Sequence, residues 1–214
     1  AQERSQRQVG QIHVYDGEGK GKSQAALGVV LRSIGLGIHS QVMNRVLLLR
    51  FLKGPERIYD EDAAIAALQQ GFPHLIDQVR TGRAEYFGKD EIIPFDQEEA
   101  LRGWNVAKGA IASGLYSIIV LDELNPLLAL GLLPLQEVVE TLANKPQSLE
   151  MIITGRAAPQ ALLDLADLHS EMKPHVATDG ALEGIEIYTG DGKGKSTSAL
   201  GKALLAIGRG IDQD

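Results

Sequence analysis

Short, nearly continuous apolar runs alternate along this chain with stretches in which apolar residues recur every three or four positions. The runs at 11–15, 45–51 (Arg-Val-Leu-Leu-Leu-Arg-Phe), 117–121 and 149–154 predict buried strands. From Lys22, the residues Ala26, Leu27, Val30, Leu31 and Ile34 follow helical spacing, and Gly35 and Gly37 are expected to end that helix. Further helices are predicted at 61–70, 96–113, 125–131, 134–144 and 159–168. Trp104 shares a stripe with Leu101, Lys108 and Ile111, which predicts a core position. The stretch 72–95 carries only a weak strand signal, near 83–87, and residues 1–10 read as a polar arm. Strands alternating with helices at this spacing imply an α/β fold, a mostly parallel sheet with helices on both faces. Such sheets bind ligands beyond the carboxyl ends of their strands.

Two motifs fall on that edge. Between the first strand and its helix lies Asp16-Gly-Glu-Gly-Lys-Gly-Lys-Ser23, which is the strand–loop–helix context of a P-loop and predicts a P-loop NTPase (RecA-like) sheet. Its glycines let successive backbone N–H groups converge on one anion, and the helix beginning near Lys22 adds its positive end. Lys22 would bridge phosphate oxygens of ATP, and the hydroxyl of Ser23 would ligate Mg²⁺. The first position is Asp16 where the common pattern has Gly. The second motif is Asp122, closing the strand Ser-Ile-Ile-Val-Leu, which reads as a Walker B aspartate holding the hydration shell of Mg²⁺. Glu123 follows it and could orient the metal's water or the substrate.

The net charge is −7, with both signs scattered, so a generic nucleic-acid or anionic-membrane surface is not expected. With no Cys there is no disulfide framework, thiolate metal site or cysteine nucleophile, and the five histidines (13, 39, 74, 169, 175) lack ligand spacing. No apolar run reaches the length of a membrane span, so the simplest location is cytoplasmic.

With the motifs in place, the chain resembles the P-loop corrinoid adenosyltransferases over nearly all of 11–175. The matching pieces are Gly-Glu-Gly-Lys-Gly-Lys-Ser-Gln-Ala-Ala-Leu-Gly (17–28), Arg-Ser-Ile-Gly-Leu-Gly (32–37), Phe-Leu-Lys-Gly (51–54), Val-Leu-Asp-Glu-Leu-Asn (120–125), the block 133–146, Ile-Thr-Gly-Arg-Ala-Ala-Pro (153–159) and the block 165–174. The resemblance implies an enzyme in which Co(I) of a reduced corrinoid attacks the 5′ carbon of ATP and triphosphate leaves. Lys22, Lys20, Asp122 and Glu123 would then be catalytic. Gly17, Glu18, Gly19, Lys20, Gly21, Lys22, Ser23, Gln24 and Arg156 would contact nucleotide, and Ser23, Asp122 and Glu123 would serve Mg²⁺. It also implies a loop whose aromatics meet the corrinoid. Here that stretch is 81–87, which departs from the family in spacing and in having no Trp, so that Tyr86 and Phe87 would have to substitute; the segment after 171–174 is reduced to 175–180. A homodimer is a further implication.

Finally, residues 185–211 repeat 12–38 at an offset of 173, with 16 identities in 27 positions. The repeat carries a second glycine loop, and Gly190, Asp191, Gly192, Lys193, Gly194, Lys195, Ser196 and Thr197 are candidate phosphate contacts. The organisation expected is therefore an arm (1–10), a P-loop domain (11–180) and a partial copy (181–214). Such a unit cannot bury its apolar face alone. It could be the start of a second domain in a tandem protein, dock elsewhere or remain disordered, or compete for the first strand's slot in the sheet, in cis or in a partner chain.

Overall fold

The computed structural model describes residues 10–40, 44–85, 87–174 and 195–211. Six strands form one all-parallel sheet in the order β3-β2-β4-β5-β1-β6. They are β1 (Ile12–Asp16), β2 (Val46–Arg50), β3 (Ile76–Arg80), β4 (Ile118–Asp122), β5 (Glu150–Thr154) and β6 (Leu168–Glu171). The helices are α1 (Lys22–Ser40), α2 (Asp62–Gly71), α3 (Pro94–Ser113), α4 (Leu124–Ala129), α5 (Leu135–Ala143), α6 (Gln160–Leu163) and α7 (Lys195–Ile211). The expected α/β architecture is the one observed.

Alternation along the central strands divides the core. Leu47, Leu49, Ile119, Leu121, Met151 and Ile153 point to one face, where Trp104 and Ile111 of α3 and Val138 of α5 cover them. Val46, Leu48, Ile118, Val120 and Ile152 point to the other, under Leu27, Val30 and Ile34 of α1 and Ile65 of α2. Because both faces are covered, the interior strands β2 and β4 are buried at every residue, which is why they read as unbroken apolar runs. Trp104 is a core residue as expected, its indole N–H donating to Glu137 at 3.0 Å.

Three sequence expectations are corrected. Helix α1 runs through Gly35 and Gly37 to Ser40, so those glycines do not end it. The edge strand is β3 at Ile76–Arg80, not at 83–87: of Ile-Asp-Gln-Val-Arg only Ile76 is buried, and the segment carries little apolar signal. Residues 159–168 form only the short helix α6, and Leu168 begins β6, a polar edge strand whose pattern the sequence conceals.

The helical half of the repeat, α7, packs along the outer side of α1, antiparallel to it. Residues 12–16 hold their own slot between β5 and β6, so the first strand is not displaced by the copy. The copy's strand and loop, 185–194, lie outside the described residues, as do the arm at 1–9, Tyr86 and 175–180.

Candidate functional site

The loop 17–21 leaves β1 at the carboxyl edge of the sheet and enters α1 at Lys22. Gly17 (φ +96°) and Gly21 (φ +109°) both adopt the left-handed backbone that tightens the turn. The loop is braced from β6: Met172 N–H donates to the Asp16 carbonyl and Gly19 N–H donates to that of Met172, both at 2.7 Å. Asp16 is not idle in the glycine position, since its Oδ1 accepts from Ala158 N–H at 3.1 Å and ties the loop to the turn after β5. Lys22 is buried and curls over the loop, with Nζ donating to the Gly17 and Gly19 carbonyls at 2.6 Å each. Burial lowers its pKa, with Glu123 opposing the shift.

Asp122, at the end of β4, lies against this loop. Its Oδ1 accepts from Ser23 Oγ at 2.7 Å and from Thr154 Oγ1 at 2.6 Å, while its Oδ2 pairs with Lys53 Nζ at 2.8 Å. Burial alone would raise this carboxyl, but Lys53 and Arg50, with hydrogen bonds from Lys53 and Thr154, hold it well below the usual carboxylate range. Glu123 caps α4 in the left-handed region (φ +62°), unusual for a residue with a side chain, and its N–H donates to Thr154 Oγ1 at 3.1 Å. Burial raises its pKa and the neighbouring Asp122 adds to the rise. Two adjacent carboxyls are thus driven apart: one fixed as an anion, the other more readily protonated.

Lys22, Ser23, Asp122 and Glu123 are therefore brought together, as the motif order required. Lys20 and Glu18 stand exposed on the loop, with Glu18 paired to Arg156 at 3.1 Å from the turn after β5. Lys195, Ser196 and Thr197 are not brought in. Because α7 runs antiparallel to α1, they lie near the amino ends of the strands, beside a cavity of about 930 Å³ that Arg32, His13 and Glu150 also line. There Arg32 Nη1 donates to Thr197 Oγ1 at 3.2 Å.

Sequence reasoning missed the basic cluster beside Asp122. Lys53 follows β2 in the Phe-Leu-Lys-Gly block, and Arg50 ends that strand. Arg50 is fully buried and pairs with Glu61 and with Asp62 at 2.6 Å, while Arg80 also reaches Asp62 at 3.1 Å. Arg50, Lys53, Arg57 and Arg80 all lie within 5.3 Å of the Tyr59 ring centroid. A usable signal existed, since a charged residue just past a buried strand at the ligand edge is seldom placed there for packing. Of the two aromatics expected of the 81–87 loop, Phe87 is among the described residues and is partly buried. Phe87 packs against the core beneath the Arg83 guanidinium, 4.2 Å from its ring centroid, and Arg83 pairs in turn with Asp96 at 3.0 Å.

Comparison with known proteins decides the family. The profile of "ATP:corrinoid adenosyltransferase BtuR/CobO/CobP" matches residues 8–186 and again 181–213. The chain belongs to the ATP:corrinoid adenosyltransferase family. The corrinoid adenosyltransferase CobA of Salmonella typhimurium is 32% identical over 79% of this chain and 80% of its own length. That of Pseudomonas aeruginosa is 31% identical over 80% and 78%. The uncharacterized protein all2391 of Nostoc sp. is 76% identical over 99% of this chain, which spans only 57% of that relative's length. The second profile match independently recovers the internal repeat. No helix among the described residues is long and apolar enough to cross a membrane.

Proposed function

We propose that this chain is an ATP:corrinoid adenosyltransferase. ATP binds with its triphosphate on the loop 16–23, the electron pair of Co(I) forms a bond to C5′, and the C5′–O bond breaks with its electrons leaving on triphosphate. The cobalt supplies the nucleophile, so the protein's work is to place the nucleotide and stabilise charge on the leaving oxygens. Lys22, once it releases the loop carbonyls, is the cation for that charge; Lys20 and Arg156 stand on the same edge, and Gly17, Glu18, Gly21 and Gln24 complete the cradle. The observation that carries the reading is the 2.7 Å bond from Ser23 to Asp122, which joins the phosphate loop to the acidic strand end.

The donor set suits Mg²⁺ held through Ser23. Both oxygens of Asp122 already have partners, so Asp122 acts by accepting the hydrogen bond of the Ser23 hydroxyl and aiming the hydroxyl's lone pairs outward, and Glu123 serves through water. Bound there, Mg²⁺ would neutralise phosphate charge.

Incubation with ATP, Mg²⁺ and a chemically reduced corrinoid should yield triphosphate and an adenosyl–cobalt absorption spectrum. ADP and phosphate would instead indicate an ATPase or kinase. One observation favours a second reading, an ATP-binding or corrinoid-handling module without turnover: Phe87 is spent on the core and Arg83. Tight ATP binding with no adenosyl–cobalt product would establish it. A homodimer, the remaining family implication, belongs to the proposal in the same way, and sedimentation velocity tests it; the candidate contacts at 190–197 are left out of it, since Lys195–Thr197 lie at the other end of the sheet.

A further inference from the structure

Helix α7 and helix α1 are copies of one sequence in two environments. In α1, Leu27 (3% exposed), Val30 and Ile34 (1%) are buried on the sheet. Their counterparts at offset 173 are Leu200 (38%), Ala203 and Ile207 (55%), which form an open apolar stripe along α7. The residues that α1 uses to build a core are present in α7 with no strand of the described residues beneath them.

The opposite side of α7 meets α1 in a reciprocal way. A Cβ at Gly28 would lie 1.8 Å from the Thr197 carbonyl oxygen, and a Cβ at Gly201 would lie 1.7 Å from that of Gln24. Gly201 is the counterpart of Gly28, and Thr197 the counterpart of Gln24. Each helix thus offers its glycine to the same backbone position of the other, as in an isologous interface related by a local two-fold axis. The axis makes a further statement. A Cβ at Gly208 would lie 1.7 Å from the Asp60 carbonyl, and Arg209 pairs with Asp60 at 2.5 Å. The counterpart of Gly208 is Gly35, which has nothing within 4 Å of its Cβ position. One end of the helix pair is covered by the segment before α2, and its symmetric end is open.

We infer that the α1–α7 pair is the seam between two family domains in tandem, and that α7 is the first helix of the second. That domain's sheet covers Leu200, Ala203 and Ile207, and its segment corresponding to Asp60 covers Gly35. One rotation accounts for the reciprocal glycines, the open stripe and the open glycine together. The Nostoc relative, of which this chain spans 57%, has a remainder comparable in length to one such domain. An ordinary C-terminal helix docked for stability would need none of the three, and would turn its most apolar face inward.

The test compares this chain with one continued after Ile211 by a second copy of residues 39–174, using amide hydrogen exchange and thermal melting. In the longer chain, amides of 200–207 should exchange at least about tenfold more slowly than in the 214-residue chain. Ile207→Asp and Gly35→Leu should leave the melting of the 214-residue chain unchanged, and each should release the second domain in the longer one. Equal exchange in both chains, or variants neutral in both, would overturn the inference. So would dimerisation of the 214-residue chain that Ile207→Asp abolishes, since that assigns the stripe to a second copy. If the fused chain does not fold, the same exchange comparison on the longer Nostoc protein decides between these outcomes.

Discussion

Residues 16–38 and 189–211 are copies of one motif, yet of the two helix starts among the described residues only the first sits among the groups that give it chemistry. At the first, Lys22 and Ser23 enter the carboxyl edge of the sheet, where Asp122 and Thr154 meet them. At the second, Lys195 and Ser196 lie at the amino end, beside Arg32 and Glu150. A phosphate motif is therefore half a site. Its own residues shape the cradle, but the carboxylate and cations that complete it come from strands far away in sequence.

The largest effect expected from this contrast is on stability. Leu27→Ala removes a side chain packed beneath α1 and should cost about 2–5 kcal/mol, whereas Leu200→Ala on α7 should stay within about 0.5 kcal/mol. Urea unfolding of the two variants measures both. Next comes Lys53→Met, which leaves buried Asp122 with less countercharge and should cost about 3 kcal/mol. Its pH signature has a definite sign. The folded pKa of Asp122 lies below its unfolded value, so its contribution is complete above the ordinary carboxylate range and is lost as pH falls through the folded value. Unfolding curves from pH 7 into the acid range should therefore fall less steeply in the Lys53→Met variant than in the parent. Gly201→Ile should act locally, because the added side chain collides with the Gln24 carbonyl. Amide protection should fall along α7 while β1, β4 and β5 keep theirs. The smallest effect is expected for Arg209→Ala. Its partner Asp60 is exposed as well, and melting should not change measurably.

Much of this arrangement was legible in the sequence, for physical reasons that differ by element. Strands β2, β4 and β5 are buried on both faces, so apolar continuity alone revealed them. The cradle was legible because its residue types are dictated by backbone geometry at Gly17 and Gly21 and by phosphate chemistry at Lys22 and Ser23. Strands β3 and β6 were missed because both are edge strands, only partly buried and mostly polar. Lys53 and Thr154 were missed as partners of Asp122 because strand order, not sequence spacing, makes them neighbours. Helix α1 outlasted Gly35 and Gly37 because a glycine inside a helix lowers its stability without having to end it. The repeat was plain in the sequence, whereas its reciprocal contact with α1 could be seen only in three dimensions.

Calorimetric titration with Mg·ATP of the parent, Lys22→Ala and Lys195→Ala chains tests most directly that the site is the motif joined to Asp122. One nucleotide should bind per chain, with affinity at least about tenfold weaker in Lys22→Ala, about 1.4 kcal/mol or more, and unchanged in Lys195→Ala. Binding that survives Lys22→Ala and disappears with Lys195→Ala would place the nucleotide at the other end of the sheet and contradict the account.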